Sequence, residues 1–368
     1  MSFIPRSQTV QAAKPAPLSA HRGWTASLDF QQQINPPNIM SSPFPKSSSA
    51  AGEGRVVSKV MPNGLSGLET VTYQYPLKLI SPRPAVDQKS ALVFLLSYGG
   101  GLVGGDSVSL AIDVLERSRL SIVTQGHTKI FRSPSLSVVT RQTLDVRIAN
   151  EAGLCLLPDP VQPFESSVYE QAQIFSVEPR ASLCLLDWVT QGRQARGEDW
   201  SFLRWKGRNE VWLRQDSATE KGRLLVRDAI ALDSTVLDTT GRPLKSSLHA
   251  HGVIGTLILR GPHMASLGDF FLVEFAALPR LGIKDFRTAE AKAAEDSRKT
   301  TQQKWREGRL KMEAAHNVIW SAARVRGCVI VRFGAGTVEG GRVWVGEMLQ
   351  TQGSVAELYG DQALMCLR

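Results

Sequence analysis

Glycine and strand-forming residues are concentrated in Ser97–Ser133, and this stretch limits what the chain can fold into. Five glycines and an aspartate stand within Gly99–Asp106. Apolar and polar residues then alternate along Val108–Val114, which is the period of a half-buried strand. A second apolar run follows at Leu120–Thr124. The stretch therefore predicts a tight junction between β-strands.

The two strands are separated by a short polar segment, Glu116–Arg119. We expect Val108–Val114 and Leu120–Thr124 to pair through this segment as a hairpin. That pairing would bring Asp106 and Thr128, which stand at the outer ends of the two strands, to the same end of one sheet.

Apolar runs flanked by turn residues recur along the chain at short intervals. Further strands are predicted at Val56–Val60, Thr70–Leu79, Ala91–Ser97, Val138–Ile148, Gly153–Leu157, Ile174–Val177, Leu183–Val189, Asn209–Arg214, Leu224–Leu232, Gly252–Leu259, Phe270–Phe275 and Cys328–Phe333. This spacing favours a mainly β fold that is many-stranded and largely antiparallel. Three similar apolar runs begin at Arg119, Gly153 and Ser182, so stacked, β-helix-like layers stay open as an arrangement.

Helical signals are few and lie mainly toward the carboxyl terminus. Thr288–Ala315 is rich in Ala, Glu, Lys, Arg and Gln but has a poor apolar face, which is typical of an exposed helix or an insertion. Gly340–Leu364 predicts one amphipathic helix that ends at Gly353 and a second helix after it.

The composition predicts a tail followed by one domain. Residues 1–22 are rich in Pro, Ser and Ala and are predicted to be disordered. Residues 23–368 are predicted to form a single domain that begins with a strand at Gly23–Phe30. Insertions into this domain are expected at about 31–54, which is rich in Pro, Ser, Gln and Asn, and at 288–315.

Charge and cysteine content exclude several classes of protein. The net charge is +9, but the basic residues are scattered, which indicates a solvated surface rather than a nucleic-acid partner. No apolar stretch is long enough to cross a membrane, and the amino terminus lacks the apolar core of a secretory signal. The four cysteines are far apart, as expected in a reducing compartment. We predict a cytoplasmic protein without a membrane partner.

The glycine loop formally matches a dinucleotide fingerprint through Gly99, Gly101 and Gly104. That motif needs a helix next, so that the pyrophosphate meets the helix amino terminus, whereas here an alternating strand follows. Nucleotide binding is therefore disfavoured. Asp106 either bonds amides within its own turn or presents a carboxylate at the lip of a channel or interface. A β-rich enzyme that uses Gly99–Asp106 as an anion or substrate site is the alternative function.

Two other polar groups stand out. His249 and His251 have the spacing that places two imidazoles on one face of a strand, but a polar turn is the favoured interpretation. Asp187 lies in an apolar run, where a carboxylate needs a partner, and Arg193 and Arg196 in the next turn are predicted to supply it. No nucleophile elbow or catalytic triad pattern is present, so we predict that the chain is not an enzyme.

Five blocks in this order resemble the UreD (UreH) urease accessory proteins: GWTASLDF, SYGGGLVGGDSVSL, TQGHTKIFRS, LPDPVQPFESSVYEQ and LLDWVTQGRQARGE. The resemblance is close from Gly23 to Val226 and looser in the last third. It implies a mainly β, non-catalytic chaperone that binds apo-urease and recruits UreF and the GTPase UreG for nickel insertion. It also implies an internal tunnel for the ion. The two insertions resemble a eukaryotic, fungal-like version of the family.

The resemblance further implies weak, transient nickel contacts at Asp106, Thr128 and Asp187, with Ni²⁺ in transit and no tightly bound cofactor. The sequence departs from the family at Ser107, beside the GGD aspartate, and at Arg227, where the family carries an acid. A chain that passes Ni²⁺ onward is expected to avoid a closed Cys/His cage, because imidazole and thiolate hold this ion tightly. A pure interaction module without ion passage is the third hypothesis.

Overall fold

A computed structural model shows the fold for residues 50–84, 88–214, 222–236, 242–279 and 299–368. These described residues belong to one compact unit. The predicted tail, the strand at Gly23–Phe30, residues 31–49 of the first insertion and residues 288–298 of the second lie outside the described residues. The predicted domain limits stay predictions.

One sheet has seven strands and exposes one face. In sheet order these are β14 (Arg223–Asp233), β13 (Arg204–Leu213), β11 (Val168–Val177), β8 (Thr140–Ile148), β5 (Ser107–Val114), β1 (Glu53–Val60) and β2 (Ser66–Tyr73). The five strands β13, β11, β8, β5 and β1 run parallel, and the two outer strands are antiparallel to their neighbours. Residues of β5 alternate between buried and exposed, because only one face of this sheet packs against protein.

The second sheet has ten strands. Its main path is β16 (Ile319–Val325), β17 (Cys328–Ala335), β15 (Val253–Arg260), β12 (Ser182–Thr190), β9 (Gly153–Leu156), β6 (Arg119–Val123), β4 (Ala91–Ser97) and β3 (Leu77–Ile80). Short strands β7 (Thr128–Ile130) and β10 (Val161–Pro163) pair beside β12. The strands β4, β6, β9 and β12 run parallel, whereas β3, β15, β16 and β17 pair antiparallel.

The predicted mainly β class is confirmed, but the largely antiparallel arrangement is wrong. From β4 to β13 the longer strands alternate between the two sheets, so that strands of one sheet meet in parallel, and antiparallel pairs are confined to the two ends of the fold. The predicted hairpin is wrong for the same reason, since β5 lies in the seven-stranded sheet and β6 in the other. The connection crosses between the sheets, with Arg117 at a positive φ of 59°. The Ser118 hydroxyl stabilises the crossing by donating to the Ser58 carbonyl at 3.1 Å.

The three similar apolar runs are neighbouring strands. Arg119 pairs in register with Gly153, and Gly153 pairs with Ser182, so the starts of β6, β9 and β12 lie side by side. Their similarity follows from their shared environment, because these strands are buried on both faces.

Helices cover the outer face of the ten-stranded sheet. They are α2 (Ala265–Ala276), α3 (Thr301–Ala315), α4 (Val338–Gln352) and α5 (Ser354–Tyr359), whereas α1 (Leu244–Ser247) packs Leu244 against the core between the sheets. Short 3₁₀ turns lie at Tyr98–Gly100, Gln194–Arg196, Pro262–Met264 and Asp361–Leu367. The predicted strand at Phe270–Phe275 is wrong, because α2 buries Leu267, Phe271 and Glu274 at helical spacing. The predicted break at Gly353 is confirmed, with a φ of 86° between α4 and α5.

Two apolar cores result from this layering. One lies between the sheets, and the other lies between the ten-stranded sheet and the helices, where Trp188, Phe333 and Trp344 pack together. Across the described ranges, no helix has the length and apolar character needed to cross a bilayer.

Helix α3 is attached by buried charges in addition to the apolar contacts of Trp305 and Met312. Glu274 of α2 accepts hydrogen bonds from Arg306 and Arg309 of α3. Arg309 also donates to Glu313 at 2.6 Å, and the Glu313 carboxylate accepts from the indole of Trp344 at 2.9 Å. The expectation that this helix is exposed is therefore wrong for its inner face.

Candidate functional site

The interior between the two sheets carries polar side chains at positions that are normally apolar in a β-sandwich. They come from the inward-facing positions of strands in both sheets and meet in one layer. We call the following six residues the polar belt: Gln142, Gln171, Gln173 and Asn209 on the seven-stranded sheet, and Thr128 and Asp187 on the ten-stranded sheet.

Asp187 joins the two sheets through amide side chains. Its Oδ1 accepts a hydrogen bond from Gln171 Nε2 at 2.9 Å, and its Oδ2 accepts one from Asn209 Nδ2 at 2.7 Å. Burial raises the pKa of this carboxyl, the two amide donors oppose that shift, and the charge of Asp228 adds to it. Asp187 is therefore a carboxylate whose charge is only partly compensated and which would favour a cation beside it.

The predicted ion pair of Asp187 with the arginines of the following turn is wrong. Within the described part of the chain, both carboxylate oxygens of Asp187 meet amides of the opposite sheet, and no ion pair reaches them. Arg193 instead binds Glu198 through its own turn. The two groups do not meet because the side chain of Asp187 points from β12 into the space between the sheets, whereas the turn after β12 folds away from that space.

Two adjoining cavities follow the polar belt. The inner cavity has about 30 Å³, space for one or two waters, and both Thr128 and Asp187 line it. The outer cavity has about 220 Å³ and extends to Lys78 and Gly100. Four residues line both cavities: Leu95, Thr124, Thr128 and Gln142. The structure therefore brings two of the three predicted site residues to one interior space.

Asp106, the third predicted residue, lies in a turn at the rim of this region. Its Oδ2 accepts a hydrogen bond from the Val103 amide at 2.8 Å, as in the local interpretation of this residue. Asp106 lines neither of the two cavities. The glycine loop still borders the outer cavity through Gly100, whose φ of 76° suits glycine, and through Leu102, whose amide donates to the Lys129 carbonyl.

A wider opening of about 610 Å³ meets the same interior at Thr124. Asp159 stands at its inner end, where Oδ2 accepts from Thr124 Oγ1 at 3.0 Å and Oδ1 accepts from Arg342 at 3.0 Å. Burial lowers the pKa of His127 and raises the pKa of Cys366 to about 11, so the imidazole is neutral and the thiol protonated at pH 7.

Sequence reasoning missed Asp159, His127 and Arg342 as neighbours. The available signal was that Asp159 and His127 fall within two of the blocks that carry the family resemblance.

The histidine pair lies at another edge of the ten-stranded sheet. His249 has a positive φ of 49°, and His251 Nδ1 hydrogen-bonds to the Leu248 carbonyl at 3.0 Å. This geometry is that of a polar turn. Among the residues that the structure describes, no group of three or more His, Cys, Asp or Glu side chains is placed to hold a metal ion.

A sequence model of the UreD urease accessory protein family matches residues 50–366. The chain belongs to the UreD family. Urease accessory protein 4 of Cryptococcus neoformans var. grubii is 30% identical over 89% of this chain and 95% of its own length. A UreD of Sorangium cellulosum is 35% identical over 71% of this chain and 78% of its own length. An accessory protein D of Oryza sativa subsp. japonica is 32% identical over 60% and 68%.

These relatives bear directly on two predictions. The UreD resemblance is confirmed, and so is the prediction that the chain is not an enzyme, since the relatives are named as accessory proteins. The alternative of a β-rich enzyme is therefore not retained. This UreD-family chain therefore has a urease accessory function.

The UreD signature blocks converge on the interior. The two adjoining cavities are lined from four of the five blocks, through Gly100, Thr128, Pro158, Gln171 and Asp187. These blocks lie on different strands, and the alternation of strands between the sheets brings them together. They therefore contribute polar side chains to the two cavities, next to apolar residues such as Leu95 and Leu144.

Proposed function

We propose that this chain is a non-catalytic scaffold for urease maturation. In this proposal it binds the urease apoprotein together with UreF-like and UreG-like accessory proteins, and Ni²⁺ passes through its interior between the two sheets. The observation that supports the proposal is that four of the five UreD-like blocks line two adjoining cavities between the sheets.

The chemistry of the polar belt suits passage better than storage. Ni²⁺ binds thiolate and imidazole tightly, whereas carboxylate, amide and hydroxyl oxygens hold it weakly. The belt offers only the weaker kind of ligand, and water can complete the coordination. Asp187 supplies a carboxylate to the inner cavity, which has space for one or two waters.

The protonated thiol of Cys366 agrees with the same idea. A cysteine whose pKa lies near 11 presents little thiolate at neutral pH, so it does not trap a passing ion. All four cysteines are free and buried, which supports the cytoplasmic location that we propose for the protein.

The proposal is tested by restoring urease maturation in cells that lack this gene and express urease with its other accessory proteins. Two variants change the polar belt without changing its volume: Asp187→Asn and Thr128→Val. We expect both to co-purify with urease and the accessory proteins as the wild type does. Nickel per urease, measured by mass spectrometry, is expected to fall by about tenfold for Asp187→Asn, because the carboxylate charge is lost.

The matched control is Asp113→Asn, which removes a carboxylate that pairs with Arg55 on the open face of the seven-stranded sheet. This variant is expected to load urease normally. Full nickel loading by both belt variants would contradict ion passage and leave an interaction module. Failure of the wild-type chain to co-purify with urease, or full urease activity in cells without the gene, would contradict the scaffold itself.

A further inference from the structure

The polar belt does not end at Asp187. On the ten-stranded sheet, Asp187 pairs in register with Thr256, and Thr256 pairs with Arg332. On the facing sheet, Asn209 pairs in register with Asp228. Register partners point to the same face of a sheet, so a row of polar residues runs across the interior from Asp187 to β17, the strand next to the edge strand β16.

The row from Asp187 to Arg332 is short. Neighbouring strands lie about 4.8 Å apart, so Arg332 stands about 10 Å from Asp187 across two strand spacings. Asp228 is close enough for its charge to raise the pKa of Asp187. The two buried carboxylates are therefore parts of one electrostatic system.

Thr256 lies midway along the row and has an unused hydroxyl. The residue is buried, and its Oγ1 has no hydrogen-bond partner among the described residues. Buried hydroxyls in native proteins are usually satisfied, so this oxygen indicates a place for a water or a cation.

The outer end of the row is closed by one side chain. Asp228 has 1% of its side-chain surface exposed, and its carboxylate accepts a hydrogen bond from Arg332, whose side chain is 61% exposed. Arg332 also lines an open groove of about 380 Å³ together with His251 and Ser321. The guanidinium therefore stands between the buried carboxylate and solvent.

We infer that Arg332 closes a second mouth of the interior, and that Asp228 and Thr256 form a weak site for a divalent cation behind it. While Arg332 is paired, its positive charge neutralises Asp228 and repels a cation that approaches from either side. When the guanidinium swings into the groove, the Asp228 carboxylate and the Thr256 hydroxyl become available as oxygen ligands. This inference rests on the proposed ion passage and adds the opening through which the ion would leave the interior.

The closure is tested without nickel by thiol labelling. Thr256→Cys is made in the wild-type chain and in a chain that also carries Asp228→Asn and Arg332→Gln, which removes both charges so that neither is left buried alone. The native cysteines are all buried and give a slow background. We expect a small cationic methanethiosulfonate to label Cys at position 256 at least about tenfold faster in the second chain. Equal rates in the two chains would overturn the closure.

The cation site is tested by equilibrium dialysis with Ni²⁺ alone on the purified full chain. Arg332→Gln is expected to bind about one more Ni²⁺ per chain than the wild type, and the added Asp228→Asn to abolish that gain. The control is Arg324→Gln on the neighbouring strand β16, which removes an arginine from an exposed pair with Asp269 of helix α2. A gain that survives Asp228→Asn, or that Arg324→Gln reproduces, would overturn the site.

These outcomes are separate from those of the proposed function. Labelling and dialysis report on Arg332 whether or not urease is activated, and Asp187→Asn reports on nickel delivery whether or not Arg332 closes a mouth. Either idea can therefore fail alone.

Discussion

Replacing Glu274 with glutamine is expected to loosen the attachment of helix α3. Glu274 has 1% of its side-chain surface exposed and faces Arg306 and Arg309, of which Arg309 is equally buried. Breaking a buried pair by removing one partner costs about 3–5 kcal/mol. Arg309 keeps Glu313, and Arg306 is 28% exposed, so we expect the lower end, about 3 kcal/mol of unfolding free energy.

The assay is urea denaturation of the purified chain, followed by tryptophan fluorescence, since Trp305 and Trp320 stack near this network. The matched control is Glu307→Gln, which removes a carboxylate of α3 itself from a pair with Lys299 in which the Glu307 side chain is 45% exposed. That change is expected to cost less than about 1 kcal/mol. Equal losses for the two variants would refute the reasoning that buried charge attaches α3.

Two further predictions concern the cores and pH. Gly255→Ala is expected to lower the free energy of unfolding by about 1–3 kcal/mol, because a Cβ there would lie 2.6 Å from Phe333 and 2.7 Å from Trp188. Gly308→Ala, which places a methyl group in open space on α3, is expected to raise it by about 0.5–1 kcal/mol. Equal denaturation midpoints for the two variants would contradict both predictions. Because the pKa of Asp187 is raised in the folded protein, the protonated side chain contributes to stability below the ordinary pKa of 3.8. This contribution is lost as the pH rises through the raised pKa of the folded state. Asp187→Asn should therefore gain stability relative to the wild type between pH 4 and pH 8, and a pH-independent difference in unfolding free energy would contradict it.

Strand positions were predictable because apolar patterning fixes them locally, but the pairing of those strands was not. Val108–Val114 alternates because its sheet has one open face, and Leu183–Val189 is apolar apart from Asp187 because its sheet is covered on both faces. These two patterns distinguish the sheets, and they indicate that β5 and β6 lie in different sheets. Phe270–Phe275 was misassigned because aromatic residues favour strands, whereas the burial of α2 follows a helical period.

The candidate site was partly predictable. Thr128 and Asp187 were found through the family blocks, and the structure places both at one cavity. The amide partners of Asp187 could not be predicted, since Gln171 and Asn209 become its neighbours only through the facing of two sheets. Local sequence suggested arginines instead, because nearby residues in the chain are the only candidates that a sequence offers.

The alternation of strands between the sheets also bears on the order in which the molecule is built. β6, β9 and β12 begin about thirty residues apart, so β9 and β12 each have a neighbouring strand that is already synthesised when they leave the ribosome. The last residues return to the beginning, where Arg119 donates to the Leu358 carbonyl at 2.7 Å and Ser90 donates to the Tyr359 carbonyl at 2.7 Å. One face of the early strands therefore stays exposed until the final helices have been translated.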